Sequence, residues 1–309
     1  MQYRILGHTG IRVSSLSFGA SSLGGVFHRV STADGIRTVR AALDHGINLV
    51  DCSPYYGDKK AEEVLGIAIG EIPRDTYLLS TKVGRYWQNG KKYWDYSGER
   101  VVKSVEESLA RLKSDHIDFI HCHDIEFADP LQIVNETLPA LQKLKETGKV
   151  RFLGITGLPL QNLKDVIDNS PGLVEMVLTF CHYTLQDDSL LDYLDHFDEK
   201  KVAVINASPL AMGLLSERGA PDWHPADESL REKCREAADF CRTQGEKIEK
   251  LAIQYTVNHP GIPTTLVGTA NPDTIVRNIG WTEGAIDNEL LQRVLDILQP
   301  VRRKTWKNS

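Results

Sequence analysis

The 309-residue sequence lacks the features of membrane-spanning, secreted and nucleic-acid-binding proteins. It has no run of 18 or more apolar residues, which a helix needs to span a bilayer. It opens without an apolar stretch of signal-peptide length. Its net charge is −6, which gives no general attraction to nucleic acid or to anionic membranes. These absences predict a cytoplasmic protein whose partners include neither a membrane nor a nucleic acid.

Cysteine is also scarce, and its five residues match no zinc-binding pattern in number or spacing. We therefore expect reduced thiols and no metal site. The Gly-x-Gly-x-x-Gly turn of an open dinucleotide-binding sheet is missing, because the glycines of FGASSLGG have a different spacing. No low-complexity segment or Pro-rich linker divides the chain, so a single domain over residues 1–309 is predicted.

Short apolar runs alternate with amphipathic helical stretches along nearly the whole chain. The predicted strands are 16–19, 47–50, 77–81, 117–122, 150–156, 175–179, 202–206 and 264–267. The predicted helices are 32–45, 61–70, 99–112, 131–146, 160–168, 190–197, 229–244, 247–258 and 273–278. About eight such units predict the α/β class and a (β/α)8 TIM barrel, with an open doubly wound sheet as the alternative.

Two segments fall outside these units. Residues 3–13 carry Gly7, Thr9 and Gly10 between short apolar ends, which predicts a β-hairpin that plugs the N-terminal mouth of the barrel. Residues 287–298 predict a final amphipathic helix that packs across the outside. The expected fold is therefore a TIM barrel with an N-terminal hairpin plug and a C-terminal extra helix.

Polar residues stand at the ends of three successive predicted strands, where barrel enzymes place their active sites. Asp51, Lys82 and His123 follow strands two, three and four, and Tyr56 lies in the loop after Asp51. A phenol has a pKa of about 10, which is high for acid–base work at neutral pH, and a nearby ammonium lowers it. A carboxylate would keep the lysine charged, and a histidine would orient a carbonyl or hydroxyl. The four side chains predict a proton-transfer site in which a redox cofactor could carry the hydride.

Each of these residues also has a purely structural interpretation. Asp51 could cap the next turn, and Lys82 could be a solvated strand end. Only one of His121 and His123 is expected to face the lumen, with the other packed outside the barrel. A lysine at a strand end would also suit a Schiff-base aldolase, although that activity does not explain the spacing of Tyr56.

The same residues resemble a known family. The pattern Asp-x-x-x-x-Tyr-Gly from Asp51, the lysine after strand three and the histidine after strand four are similar to the aldo-keto reductase superfamily. Further similar segments are YRILGHTGIRVSSLSFG, GKVRFLGIT, SPLAMGLL and GTANPDTIVRN. Within the superfamily, SPYYG, HCHDIEF, GITGLPL, FCHY and the late Thr305-Trp306 resemble the L-galactose 1-dehydrogenases, which oxidise an aldose at C1 with NAD.

The resemblance implies a role for each catalytic residue. Tyr56 would donate or accept the proton, Lys82 would lower its pKa, and Asp51 would pair with Lys82. His123 would orient the reacting oxygen. The implied reaction is NAD-dependent oxidation of L-galactose, or of a related sugar such as L-fucose, to the lactone without a metal. The alternatives are an NADPH-dependent aldehyde or ketone reductase and a non-enzymatic, cofactor-sensing subunit.

The resemblance also places a nicotinamide cofactor on the loops after strands one, five, seven and eight. Backbone amides of the small-residue loop 208–213 could surround a pyrophosphate. The expected cofactor-binding residues are Gly19, Ala20, Thr156, Ser208, Leu210, Met212, Gly213, Leu214, Gly268, Thr269, Thr274 and Asn278.

The choice between NAD and NADP depends on the basic residues near the 2′-position of the adenosine ribose. NADP-preferring relatives carry basic residues where this chain has Gly268 and Thr274, and their absence favours NAD. Arg277 is the complication, because it could reach a 2′-phosphate. Three residues depart from the usual contacts to the nicotinamide, namely Ala207, Gly157 and Leu178.

Five aromatic residues lie between positions 86 and 96, after strand three. Aromatic faces beside polar groups suit a sugar ring, with its apolar C–H faces and rim of hydroxyls. We expect Trp87 to contact the substrate together with Tyr56 and His123, and residues 216–228 to form a second wall or a cover. L-galactose and L-fucose share the stereochemistry at C2–C5, so both suit these features. No coiled coil or interface stripe indicates an oligomeric state.

Overall fold

The computed structural model describes residues 1–27 and 29–307 and is built around a closed parallel barrel. Eight strands follow one another around it in chain order, and the last pairs back onto the first, which confirms the predicted TIM barrel. The strands of the described residues are β1 (Tyr3–Ile5), β2 (Arg12–Ser14), β3 (Leu16–Gly19), β4 (Leu49–Asp51), β5 (Leu78–Val83), β6 (Arg85–Gln88), β7 (Lys91–Trp94), β8 (Ile117–Cys122), β9 (Val150–Gly157), β10 (Met176–Phe180), β11 (Ala203–Ala207) and β12 (Thr264–Val267). The barrel order is β3–β4–β5–β8–β9–β10–β11–β12.

Helices surround the barrel, and several of them have an N-cap residue whose side chain accepts a backbone amide of the first turn. Ser31 Oγ, for example, accepts the amide of Asp34 at 3.0 Å at the start of the first helix. The helices are α1 (Thr32–Asp44), α2 (Lys60–Ile69), α3 (Gly98–Leu112), α4 (Pro130–Gln132), α5 (Leu138–Glu146), α6 (Leu160–Asn169), α7 (Leu194–Glu199), α8 (Glu228–Thr243), α9 (Ile248–Asn258), α10 (Pro272–Trp281) and α11 (Asn288–Leu298). In the part of the chain that the structure describes, no helix has the length and apolar character needed to cross a membrane.

Alternation along each barrel strand divides the core into an inner and an outer layer. On β8, Phe119 packs in the lumen with Leu49 and Met176, whereas its neighbour Ile120 packs outward against the helices. The barrel is therefore a filled core, and a ligand can bind only at its open end.

The predicted hairpin closes the N-terminal mouth of the barrel. Strands β1 and β2 pair antiparallel. Leu6, directly after β1, and Val13, within β2, are fully buried in the lumen cluster. The turn at Gly7 has a φ of +48°, and a Cβ there would lie 2.7 Å from the Cβ of Ala203. Only a glycine fits so close to the start of β11, which is why the hairpin can plug the barrel.

The predicted C-terminal helix α11 packs against α8, where Val294 and Cys234 belong to one buried cluster. The chain then returns toward the end of the barrel at which the strands terminate, opposite the hairpin. Gln186 Nε2 donates to the carbonyl of Val301 at 2.8 Å, and Arg303 forms ion pairs with two acidic side chains of the α7 region, Asp188 and Asp192. These contacts bring the last described residues to the open end of the barrel.

Three predicted segments differ in detail. The helix expected at 131–146 contains a π-helical turn at Ile133–Thr137, next to Pro139, which cannot donate an amide hydrogen bond. The helix expected at 190–197 begins as a 3₁₀ turn at Ser189–Tyr193. The aromatic stretch after β5 forms the hairpin β6–β7, whose Asn89-Gly90 turn has φ values of +52° and +74°.

Candidate active site

A cleft of about 650 Å³ opens at the C-terminal ends of the barrel strands. Residues from the ends of all eight barrel strands, or from the loops after them, line it. The four predicted catalytic residues meet there, and we refer to them as the tetrad: Asp51, Tyr56, Lys82 and His123. The sequence-based expectation that they lie together is therefore met by the geometry.

A buried ion pair forms the base of the tetrad. Asp51 ends β4 and Lys82 lies near the end of β5, so neighbouring parallel strands present both side chains to the lumen. Lys82 Nζ donates to the carboxylate of Asp51 and, at 2.8 Å, to the carbonyl of Cys52. Ser80 Oγ donates to the other oxygen of Asp51 at 2.7 Å. These bonds fix the position of the ammonium beneath the cleft.

Tyr56 lies above this pair in the loop between β4 and α2. Lys82 Nζ is 5.1 Å from the centre of its ring. Two glycines let the loop approach the segment after β3, because a Cβ on Gly24 would lie 2.6 Å from the carbonyl carbon of Tyr56, and Gly57 has a φ of +64°. This close approach holds the phenol over the ammonium.

The pKa of Tyr56 differs in direction from the sequence-based expectation. Burial disfavours the phenolate and outweighs the attraction of Lys82, which raises the pKa of Tyr56 to about 12. For Lys82, burial acts to lower the pKa, but Asp51 and Tyr56 more than compensate, so its pKa is raised and it stays charged. The ammonium therefore limits the rise at Tyr56 but does not reverse it.

His123 follows β8 directly and stands edge-on to Tyr56, with ring centres 5.7 Å apart. Burial lowers its pKa well below the usual value, with further contributions from Lys82 and Arg85, so the imidazole is neutral. Its Nδ1 lies 3.0 Å from Ser53 Oγ. Ser53 Oγ also accepts the amide of Tyr55, and we assign its proton to the bond with Nδ1, which places the hydrogen of the neutral imidazole on Nε2.

The expectation that only one of two histidines faces the lumen is wrong. Residues two apart on a strand point to the same face, so His121 and His123 both point inward. His121 is fully buried, its Nδ1 lies 3.4 Å from Ser80 Oγ, and burial lowers its pKa to about 3. It packs below the tetrad against Gly154, where a Cβ would come within 2.5 Å of its ring.

Most of the predicted cofactor residues line the cleft. They are Gly19, Thr156, Ser208, Leu210, Met212, Gly213, Gly268 and Thr269. The remaining four do not line it in the part of the chain that the structure describes. Ala20 is buried in the outer core, Leu214 packs behind its loop, and Thr274 and Asn278 belong to α10. Ala20, Leu214 and Asn278 are buried and could act only behind the cleft surface, whereas Thr274 is partly exposed in the first turn of α10.

The loop after β11 has a tightly turned backbone. Ser208, Ala211, Met212 and Gly213 all have positive φ values. Turns inside the loop already engage the amides of Ala211, Gly213 and Leu214. Part of the backbone is thus available to a pyrophosphate, and the loop fits a dinucleotide less completely than its composition indicated.

The three departures at the nicotinamide end have different surroundings. Leu178 and Ala207 line the cleft and belong to the lumen cluster, so they offer an apolar floor next to the tetrad. Gly157 faces away from it, and a Cβ there would lie 2.7 Å from Glu126 Oε2. A larger residue at Gly157 would therefore displace the Glu126 carboxylate, which is the end of a flexible side chain. The apolar floor fits the face of a nicotinamide ring.

The substrate end of the cleft differs from the prediction. Trp87 stacks on Tyr55, with ring centres 5.5 Å apart, and lies behind it, because Tyr55 is the one that lines the cleft. Sequence reasoning missed Tyr55, Arg85 and Asp124, all of which line the cleft beside the tetrad. Asp124 directly follows His123 in the HCHD run, so the strand-end argument could have found it.

Aromatic side chains from three separate segments form the outer rim. Phe27, after β3, lies 5.7 Å from Trp223 in the expected cover loop, measured between ring centres. Trp306 of the C-terminal tail stands edge-on to His224 at 4.7 Å. Phe27, Trp223 and Trp306 line the cleft. Within residues 1–27 and 29–307, no cluster of histidine, cysteine or acidic side chains could hold a metal ion.

Comparison with known proteins yields a family and several relatives. A sequence profile of the Aldo/keto reductase family matches residues 15–299. The L-galactose dehydrogenase of Arabidopsis thaliana is 47% identical over 316 aligned residues, which cover 100% of this chain and 98% of that protein. The D-arabinose 1-dehydrogenase of Saccharomyces cerevisiae is 34% identical, and the alignment covers 71% of this chain and 68% of that protein.

A solved structure has the same architecture. The holo form of an aldo-keto reductase from Bacillus halodurans matches with a TM-score of 0.83 at 25% sequence identity. The match covers 100% of this chain and 99% of that one.

Proposed function

The chain belongs to the aldo/keto reductase family, whose members are oxidoreductases with a nicotinamide cofactor, and we propose that it oxidises a free aldose at C1 with NAD. The substrate would be L-galactose or a related sugar such as L-fucose, and the product would be the lactone. The meeting of the tetrad at the floor of one cleft carries this proposal. The 47% identity to an L-galactose dehydrogenase supports the substrate class.

In this proposal the tetrad moves one proton. Tyr56, as the phenolate, accepts the proton of the anomeric hydroxyl, while His123 Nε2–H donates a hydrogen bond to the same oxygen. Lys82 provides the positive charge that favours the phenolate, and Asp51 keeps that charge in place. Leu178 and Ala207 would hold the face of a nicotinamide, which would supply the acceptor for the hydride of C1. Loss of the O–H proton and the C1 hydride leaves the lactone carbonyl.

The choice of NAD rests on the environment of the loops after β12. Gly268 lines the cleft and cannot offer a positive charge to a 2′-phosphate, and Thr274 is equally neutral. Arg277 lies 5.3 Å from the centre of the Trp281 ring and bonds to Thr274 Oγ1 at 3.5 Å. These contacts place its guanidinium along α10, which supports NAD over NADP.

The reverse direction is the second candidate, and the pKa of Tyr56 favours it. A phenol with a pKa of about 12 is protonated at neutral pH and is therefore ready to donate a proton to a carbonyl. A Schiff-base aldolase is disfavoured, because Lys82 is held charged by a buried carboxylate and a protonated amine is not a nucleophile.

Absorbance at 340 nm with NAD and a panel of aldoses tests the proposal. The panel contains L-galactose, L-fucose, D-arabinose and D-galactose, and each is compared with NADP in place of NAD. NADH production with L-galactose or L-fucose, abolished in Tyr56→Phe, is the expected result. Silence across the panel together with NADPH consumption on simple aldehydes would contradict both the substrate and the cofactor. A clear preference for NADP with an aldose would overturn the cofactor alone.

A further inference from the structure

A second buried ion pair lies beside the tetrad and has no part in the proton transfer. Arg85 begins β6 and Asp124 follows β8, and the guanidinium of the first bonds to the carboxylate of the second. Both line the cleft, although Arg85 is only 6% exposed and Asp124 only 3%. Charged groups this deeply buried need further partners, because their desolvation is costly.

The surroundings hold the pair rigidly at the cleft wall. The Arg85 guanidinium lies 4.0 Å from the centre of the Tyr55 ring and donates to the Tyr55 hydroxyl at 3.2 Å. The amide of Asp124 donates to Thr156 Oγ1 at 3.0 Å, and the backbone of Asp124 is left-handed with a φ of +52°. Non-glycine residues in this conformation are strained and concentrate at functional sites.

The pair lies close to the histidine nitrogen that would hold the reacting oxygen. Asp124 Oδ2 is 3.8 Å from His123 Nε2, the atom that would hold the anomeric oxygen. Two hydroxyls on neighbouring sugar carbons also lie about one hydrogen-bond length apart. An oxygen at C1 held by His123 therefore brings the oxygen at C2 toward Asp124 and Arg85.

We propose that Arg85 and Asp124 bind the hydroxyl on the carbon next to C1 and so select sugars over simple carbonyl compounds. This inference rests on the proposed aldose oxidation. The carboxylate accepts the hydroxyl proton and the guanidinium donates to the hydroxyl oxygen, so one hydroxyl satisfies both charges. A substrate without this hydroxyl makes fewer hydrogen bonds to charged groups, which is a basis for rejecting a near-identical molecule.

The test removes the hydroxyl and the ion pair separately and together. Wild type and the double variant Arg85→Gln/Asp124→Asn are assayed with NAD on the best aldose of the panel and on its 2-deoxy counterpart. Wild type should lose roughly 10- to 100-fold in kcat/KM on the 2-deoxy sugar, because a hydrogen bond to a charged group is lost. The double variant should discriminate less than about 3-fold, because only the good substrate has lost a contact.

A matched control separates recognition from folding. Arg74 and Asp118 form another ion pair, at 2.6 Å, in which Asp118 is buried and Arg74 is partly exposed, and neither lines the cleft. Arg74→Gln/Asp118→Asn should keep the full discrimination against the 2-deoxy sugar, whatever its thermal stability. Should the Arg85 double variant fail to fold, Arg85→Lys takes its place, because it keeps the charge and loses the forked geometry.

The outcomes distinguish this inference from the proposed function. If wild type oxidises no aldose, the proposed function fails and this inference fails with it. If wild type oxidises an aldose and the Arg85 variants keep its discrimination against the 2-deoxy sugar, only the inference is overturned. Loss of discrimination in the Arg85 variants and its retention in the Arg74 control support the inference.

Discussion

Burial makes the phenol of Tyr56 a weak acid, and this determines how each direction of the reaction should depend on pH. With a pKa raised to about 12, almost all of the protein holds the protonated phenol below that pH. Oxidation needs the phenolate, so its kcat/KM should rise about tenfold per pH unit from neutral to alkaline solution. Reduction needs the phenol and should change little. Initial rates in both directions test this, and a plateau of the oxidation rate near neutral pH would contradict it.

Lys82 and Asp51 depend on each other, and double substitution should reveal it. Lys82→Met leaves a buried carboxylate without its cation, which should destabilise the fold by about 3–5 kcal/mol and abolish turnover. Lys82→Met/Asp51→Asn removes both charges and should regain most of that stability without regaining activity. Urea unfolding and the NADH assay measure the two effects. Equal stability of the single and double variants would show that the pair is not coupled in the folded protein.

Individual site residues were predicted correctly where each directly follows or ends a predicted barrel strand. Asp51, Lys82 and His123 each follow a buried apolar run, so parallel strands bring them to one edge of the sheet. Sequence could not reveal Ser53 as the partner of His123, because that contact crosses 70 positions and depends on a loop conformation. The error at His121 was avoidable from the sequence, because positions 121 and 123 are two apart and side chains on a strand repeat with a period of two.

The N-terminal hairpin should contribute stability to the barrel without contributing to catalysis. Leu6 is fully buried in the lumen at the end opposite the cleft, so Leu6→Ala should cost about 2–5 kcal/mol. Its kcat and KM should match those of the wild type at temperatures where it is folded. Ile5→Ala is the matched control, because Ile5 is 50% exposed and its truncation should cost no more than about 0.5 kcal/mol. Urea unfolding measures both, and similar losses in the two variants would argue against a plug.

Element-level prediction succeeded for the strands and failed where turn chemistry decides. The eighth barrel strand matched its predicted range, 264–267, because apolar runs mark buried parallel strands. No strand was predicted between residues 86 and 96, although Asn89-Gly90 is a hairpin signal. The π-helical turn before Pro139 was not predicted, because the apolar pattern of residues 131–146 was interpreted with the α-helical period alone.

Closure of the whole barrel rests on one long-range pairing, between β12 and β3. Each other barrel pair joins strands that follow one another along the barrel, so their order follows from the alternation of strands and helices. The closing pair joins residues near position 266 to residues near position 17, and only the count of units predicted it. The cleft spans this seam, since Gly19 and Gly268 line it from the two sides.

A ligand that bridges the seam should stabilise the entire molecule, and the two cofactors should do so unequally. A ligand that binds only the folded protein adds about 2.7 kcal/mol at a concentration of 100 Kd. If NAD is the cofactor, NADH should raise the Tm more than an equal concentration of NADPH, because the 2′-phosphate meets neutral Gly268 and Thr274.

Thr274→Arg should then narrow the gap between the two Tm shifts, because it adds a cation near that phosphate. Arg293→Lys, on α11 and outside the cleft, should leave this gap unchanged. Thermal unfolding with each cofactor measures the gap. A larger shift with NADPH in the wild-type protein would mean that Arg277 leaves its place along α10 to bind the phosphate.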